Sequence, residues 1–150
     1  MTELYFYHLQ QQPLEAVLPT LLEKSLERGW RVVVQAGSQE RVESLDAHLW
    51  TYRDNSFLPH GATTDVLAAE QPIWLTVTED NPNAAEVRVL IDGAPLPAET
   101  STYTRLMLIF DGNDPDALDA ARGQWREASA RGMEVAYWQQ EDGGRWRRKN

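Results

Sequence analysis

The side chains that could do acid–base, nucleophilic or metal chemistry in this chain are His8, His48 and His60 and the carboxylate pairs Glu79-Asp80 and Glu141-Asp142. The histidines form no His-x-x-x-His pair and have none of the spacings that hold zinc, and no Gly-x-Ser-x-Gly elbow presents a serine nucleophile. His60, in the turn Pro59-His60-Gly61, is the one histidine in a suggestive setting. There it could act as a general acid or simply hydrogen-bond its own loop. Both carboxylate pairs lie beside turn residues and read as solvated loops. The chain has no cysteine, which excludes disulfides, thiolate zinc sites, iron–sulfur clusters and a cysteine nucleophile. Phosphate chemistry fares no better. The turn His8-Leu9-Gln10-Gln11-Gln12-Pro13 contains no glycine, and no Gly-Lys-Ser/Thr loop occurs. Gly37-Ser38 before a helix could offer amides to an anion, but it reads first as a cap. No catalytic residue, metal or cofactor is expected.

Two clusters read instead as binding surfaces. The stretch Leu49-Trp50-Thr51-Tyr52-Arg53-Asp54-Asn55-Ser56-Phe57-Leu58-Pro59-His60-Gly61 places large apolar and aromatic residues in what is otherwise loop composition. Loops rich in aromatics commonly bind something. The second cluster lies on the helix that begins at Pro115. At about 100° per residue, Leu118 and Trp125 fall about 40° and 60° to one side of Arg122, and Arg126 about 40° to the other. Ala117, Ala121 and Ala128 lie farther round and mark the buried stripe. Leu118 and Trp125 border that stripe with two guanidinium groups beyond, a shallow pocket suited to a carboxylate carried by an aromatic group. The residues alone point first to the plainer arrangement, in which Trp125 finishes the core while both arginines pair with helix acids.

These residues must be positioned by alternating strands and helices. Leu4-Tyr5-Phe6-Tyr7 and Arg31-Val32-Val33-Val34-Gln35 read as buried strands. Between them Leu14, Val17, Leu18, Leu21, Leu22 and Leu26 recur at helical spacing and stop before Gly29, with Pro19 expected in the first turn or at a kink. A second helix runs from Gln39 to Trp50 behind the cap Ser38, with Val42, Leu45 and Leu49 on one face. Ile73–Val77, Val87–Ile91 before Asp92-Gly93, and Arg105–Phe110 before Asp111-Gly112 read as strands. Asn113-Asp114-Pro115 caps the late helix, which runs to about Arg131 before Gly132. Val135-Ala136-Tyr137-Trp138 is the expected last strand. The pattern predicts an α/β fold: one Rossmann-like domain, mainly parallel sheet, helices on both faces, without a nucleotide-binding glycine loop.

Composition agrees with a single domain over residues 1–150, ending in a basic tail from about 144 to 150. No apolar run is long enough to span a membrane and no export signal is read, so the expected location is cytoplasmic. The formal net charge of −9 is unevenly spread: residues 1–121 hold 7 Lys/Arg against 19 Asp/Glu, and residues 122–150 hold 7 against 4. A basic quarter on an acidic body favours a small anionic partner held locally over a duplex. The tail Arg145, Arg147, Arg148 and Lys149 could equally be solvated.

Leu45-Asp46-x-x-Leu49-Trp50 followed by Ser56-Phe57-Leu58-Pro59-His60 resembles the signature of the chi subunit of bacterial DNA polymerase III, a clamp-loader accessory protein. Further matching residues run through most of the chain: Phe6-Tyr7-x-Leu9, Arg31-Val32-x-Val34, Pro72-Ile73 and Ala121-Arg122-x-x-Trp125-Arg126. The resemblance implies a noncatalytic adaptor whose Rossmann-like sheet has no nucleotide function. It implies two partners: the psi subunit, and the acidic, Phe-terminated C-terminal tail of single-stranded DNA-binding protein, with DNA contacted only indirectly. Trp50, Phe57, Leu58 and Pro59 fall at the surface used for psi, and for a helicase in some bacteria. Arg122, Trp125 and Arg126 match the tail-binding site. A family position one turn before the key arginine, often lysine, is Leu118 here, and Trp125 stands where the family has tyrosine.

Two rival readings stay open on the residues. One is a nucleotide-binding α/β enzyme or sensor with an atypical site at the sheet's carboxyl edge. The other is direct nucleic-acid binding through the basic tail, which the acidic body opposes.

Overall fold

The computed structural model describes residues 2–51, 61–62 and 68–150, with only the backbone described for residues 50, 51, 61 and 62. In chain order the elements are β1 (Glu3–Leu9), α1 (Leu14–Glu27), β2 (Val32–Gln35), α2 (Gln39–Thr51), β3 (Gly61–Ala62), β4 (Ile73–Thr76), β5 (Val87–Leu90), β6 (Arg105–Asp111), α3 (Pro115–Ala130), β7 (Glu134–Gln140) and β8 (Trp146–Arg148). The strands form one sheet in the order β3-β4-β2-β5-β6-β1-β7-β8. Every pairing is parallel except β7 with β8. The α/β, mainly parallel architecture expected from the sequence is what the chain adopts.

The central strands are continuously apolar because both faces of the sheet are covered. Val32 and Val34 of β2 point into a core shared with α1 and α2, and Val33 into a second core shared with α3. Only the first face carries two helices. The connections from β4 to β5 and from β5 to β6 contain no helix. Parallel strands need a crossover, and here extended segments supply it: Ala94, Leu96 and Tyr103, between β5 and β6, are buried against the α3 face.

Arg88, in the middle of β5, is fully buried. Its guanidinium donates to Gln35 Oε1 at 2.6 and 3.1 Å, to the Asp80 carbonyl at 3.0 Å, to the Tyr103 hydroxyl at 3.1 Å, and to the Thr78 carbonyl. A buried charge is tolerated when its donors are satisfied, and these bonds tie both helix-free crossovers to the sheet.

Local signals act as their chemistry dictates. Gly29 closes α1 at φ 78°, and Asp114 caps α3 by accepting from the Asp116 amide at 3.0 Å. Ser38 Oγ accepts from the Arg41 amide at 3.1 Å to cap α2. Pro19 lies beyond the first turn of α1, the first of its two expected places. It has no N–H to give the Glu15 carbonyl four residues back. His48 of α2 supplies the missing donor, its Nε2 sitting 2.6 Å from that oxygen.

The C-terminus departs from expectation. β7 extends past Trp138 to Gln140 and is not the last strand, because Trp146–Arg148 of the expected tail returns as antiparallel β8. The Asn150 side chain then accepts from the Tyr137 amide at 3.0 Å and donates to the Val135 carbonyl at 2.8 Å, extending the pairing beyond the strand. Part of the basic segment is therefore folded sheet edge, not solvated tail.

Candidate functional site

The α3 face of the sheet carries a pocket of about 400 Å³ lined by His8, Leu118, Ala121, Arg122, Trp125, Arg126, Tyr137 and Gln139. Register explains the assembly. Phe6 and His8 of β1 pair in parallel with Tyr137 and Gln139 of β7, so all four present to the face that α3 crosses. Ala121 and Ala128 are buried, and their small side chains let α3 lie close to the strands. Trp125 is half-buried above them, its ring 5.5 Å from Phe6 and 5.7 Å from Tyr137. Arg122 and Arg126 are exposed at the rim.

Both alternatives left open for this helix are partly realised. Trp125 does complete the core. Arg122 meets Asp119 at 3.6 Å, a loose pair between exposed side chains, whereas Arg126 has no ion-pair partner among the described residues. Among the described residues no carboxylate lines the pocket. Its floor is electrically quiet: His8 Nδ1 lies 2.6 Å from the Tyr137 hydroxyl, and burial holds the imidazole below its ordinary pKa although Asp111 pulls the other way. Burial also raises the Tyr137 phenol against the opposing charge of Arg122. The pocket therefore combines an apolar floor with two cations at its rim, geometry for an anion attached to an apolar body.

Arg122, Trp125 and Arg126 are thus brought together as their helical spacing predicts. His8, Tyr137 and Gln139 were not singled out for this pocket. No local signal marks them, because their approach depends on the pairing of strands far apart in sequence. Of the other expected site residues, Phe57, Leu58 and Pro59 lie outside the described residues, as does His60, and Trp50 lies in the last turn of α2 with only its backbone described. α2 packs on the face of the sheet opposite α3, since Val42, Leu45 and Leu49 join the first core and Ala121 and Ala128 the second.

A larger crevice of about 730 Å³ opens at the carboxyl ends of β1, β5 and β6, where α1 and α3 depart to opposite faces. Open parallel sheets place nucleotides at such a switch point. Here its lining includes Asp92, Asp111, Asp114 and Asp116, with Arg41 the one Lys or Arg among the described residues. The amides that would cradle a phosphate are also engaged: the backbone N–H groups of Gln10, Gln11 and Gln12 all donate to Oε1 of Gln140, at 3.4, 3.0 and 3.0 Å. At the next strand–helix turn the Gly37 amide donates to the Asp92 carboxylate at 3.3 Å. The chain's own side chains fill both positions that the atypical nucleotide site would need.

A family model described as "DNA polymerase III chi subunit, HolC" matches residues 1–136. The chain belongs to this family. Among its curated relatives, "Probable DNA polymerase III subunit chi" of Rickettsia prowazekii (strain Madrid E) is 33% identical over 91 residues, covering 61% of this chain and 55% of that protein's length. "DNA polymerase III subunit chi" of Pseudomonas aeruginosa is 25% identical over 130 residues, 84% of this chain and 88% of the relative. Family membership makes the chain a replication accessory protein, and the matched region holds the whole of α3 and every pocket residue except Tyr137 and Gln139. Among the described residues no helix is long and apolar enough to cross a membrane, and no cluster of His, Asp and Glu could hold a metal ion.

Proposed function

We propose that this chi-family chain is a noncatalytic, cytoplasmic adaptor that joins the clamp loader to single-stranded DNA-binding protein. The α3 pocket receives the acidic, Phe-terminated tail of that protein. Arg122 grips the terminal carboxylate, Trp125 with Leu118 packs the terminal ring, and Arg126 attracts the acidic residues upstream. The observation that carries this reading is a half-buried tryptophan flanked by two exposed arginines over an apolar floor, with no carboxylate in the lining among the described residues. Leu118 removes one family charge, and Arg126, free of an ion-pair partner among the described residues, remains available to attract the acidic tail.

The psi subunit, or a helicase in its place, docks on Trp50, Phe57, Leu58 and Pro59. That assignment rests on the sequence resemblance, with aromatic anchors of the kind that dominate protein interfaces. The placement of α2 and α3 on opposite faces supports two partners held at once.

Calorimetry with a peptide copying the tail tests the reading. Arg122→Ala and Trp125→Ala are expected to lose most binding, and Trp50→Ala to keep it while losing co-elution with psi. Unchanged peptide binding in both α3 variants would overturn the tail assignment, and unchanged psi co-elution with Trp50→Ala would overturn the other. A thermal shift with nucleotides but none with the peptide would favour the enzyme or sensor reading instead.

A further inference from the structure

A second basic pocket lies on the opposite face of the sheet from α3, between α1 and the edge formed by β1, β7 and β8. It encloses about 290 Å³. Five aromatic rings meet there: Tyr5, Tyr7, Trp30, Trp138 and Trp146. Four of them are only half-buried. The ring of Tyr5 lies 6.2 Å from Trp138, and Tyr7 meets Trp146 edge-on at 5.2 Å. Among the described residues three cations, Lys24, Arg28 and Arg105, share the lining and no carboxylate does. The Arg105 guanidinium sits 4.0 Å from the Tyr5 ring centre and 5.1 Å from Trp30, and Arg28 lies 5.0 Å over Trp30.

The unused hydrogen-bonding groups of this cleft are donors. Arg105 Nε and Trp138 Nε1 are buried without a partner. Arg105 also contacts Glu3 at 3.3 Å, but Lys24 in the last turn of α1 and Arg28 at its C-cap are exposed and have no ion-pair partner among the described residues. Burial raises the Tyr7 phenol to about 12, so it stays protonated. Beyond the cleft, Arg148 of β8 stands directly opposite Trp138 and shares its face. Clustered, half-buried rings, donors without acceptors and a group of cations together call for a flat ring system carrying repeated negative charge. That is the chemistry of single-strand recognition, in which bases stack on aromatic side chains while lysine and arginine follow the phosphates. The volume, near the low end for ligand pockets, suits one base rather than a long ligand. The tail proposed for α3 needs one ring slot, and that pocket offers one tryptophan; five rings exceed such a need. The net charge of −9 keeps such binding weak and local without forbidding it, because the cleft itself gathers Lys24, Arg28 and Arg105.

We propose that this cleft is a direct contact for single-stranded DNA, with one base against Tyr5, Trp30 and Trp138 and the neighbouring phosphates on Lys24, Arg28 and Arg148. The site goes beyond the adaptor reading and is independent of the α3 pocket. The test is fluorescence anisotropy of the full chain with a labelled oligothymidylate about ten nucleotides long, within the usual site size. Binding should weaken with salt, log affinity falling by about 0.7 per phosphate contacted for each unit of log salt. Arg28→Ala and Lys24→Ala, both exposed and harmless to the core, should each lower both affinity and that slope. Trp30→Ala should weaken binding roughly tenfold. Arg122→Ala should leave DNA binding intact while losing the tail peptide, which separates the two sites. Absent binding would overturn the proposal. So would oligonucleotide binding untouched by Arg28→Ala and Lys24→Ala. Thymidine monophosphate competing as well as the oligonucleotide, nucleotide for nucleotide, would reassign the cleft to a free mononucleotide and overturn the strand contact. Acidic tail peptide binding that depends on Arg28 and not on Arg122 would overturn it in favour of a protein partner.

Discussion

Arg122→Ala separates recognition from folding, and its size can be worked from the geometry. The side chain is 63% exposed, and Asp119, its partner at 3.6 Å, is 78% exposed. An exposed helix pair of this kind contributes about 0.5 kcal/mol or less, so truncation should leave stability within about 0.5 kcal/mol of the parent. A forked charge-assisted bond to a terminal carboxylate is worth about 1.5–3 kcal/mol. Because the arginine stays in contact with solvent, the lower figure is the better guide, which is roughly a tenfold rise in Kd.

Two companion variants sharpen the assay, which is calorimetric titration of the tail peptide at low salt alongside thermal melts. Arg122→Lys keeps the charge but loses the fork, and should recover only part of the affinity. Asp119→Ala frees Arg122 and removes a like charge from the acidic ligand's path, so it should tighten binding by about twofold. Equal affinity for wild type and Arg122→Ala would refute the carboxylate grip. Weaker binding by Asp119→Ala would refute the view that this aspartate competes with the ligand.

Gly112→Ala should destabilise the chain by about 3 kcal/mol or more in chemical denaturation, because an added Cβ would lie 1.8 Å from His8 Nε2 and 2.8 Å from the Leu9 carbonyl; a neutral result would contradict the close approach. Gln140→Leu removes the acceptor shared by the Gln10, Gln11 and Gln12 amides and should cost about 2 kcal/mol, read from the urea midpoint. Burial lowers the folded-state pKa of His8 from its ordinary 6.5, so the unfolded chain takes up this proton first on acidification. Its contribution to stability is fully present above that value and is lost as pH falls from 6.5 toward the lowered folded-state pKa. Melting temperatures of wild type should therefore drop more steeply on mild acidification than those of His8→Asn, and parallel slopes would count against it.

What was legible in the sequence was whatever depends on neighbours along the chain. The caps Ser38 and Asp114, the stop at Gly29, and the stripe Ala121–Ala128 with Trp125 at its border follow from spacing and backbone chemistry, and the structure contains them. Interactions set by sheet register were not legible. His8 reaches Tyr137 across 129 positions of chain, and Gln140 reaches the first turn across nearly as many. β8 is only three residues long, and its Trp146-Arg147-Arg148 lies in a basic context that a solvated tail would share. Pro19 could be seen as a helix problem, but its remedy, a histidine from another helix, is a tertiary contact. Arg88 reads as one charge within an apolar strand, and nothing local announces that two crossovers and Gln35 will surround it.

The same register explains why the proposed binding sites lie at the sheet's flanks and not at its carboxyl edge. A nucleotide fold leaves the first turn's amides unpaired and facing the switch point, so that a phosphate completes them. Here Gln140, delivered by β7 beside β1, places a carbonyl oxygen where that phosphate would sit, and Asp92 does the same at the second turn. Carboxylates then line the crevice and repel any anion that approaches. The cations are displaced outward to α3 on one face and to α1 with β8 on the other. The two proposed sites therefore lie away from the place the topology would favour, where side chains and not backbone amides would meet an anion. Substitutions that abolish binding at Arg122 or Arg28 should for that reason leave the fold intact, whereas those at Gln140 should weaken the fold first.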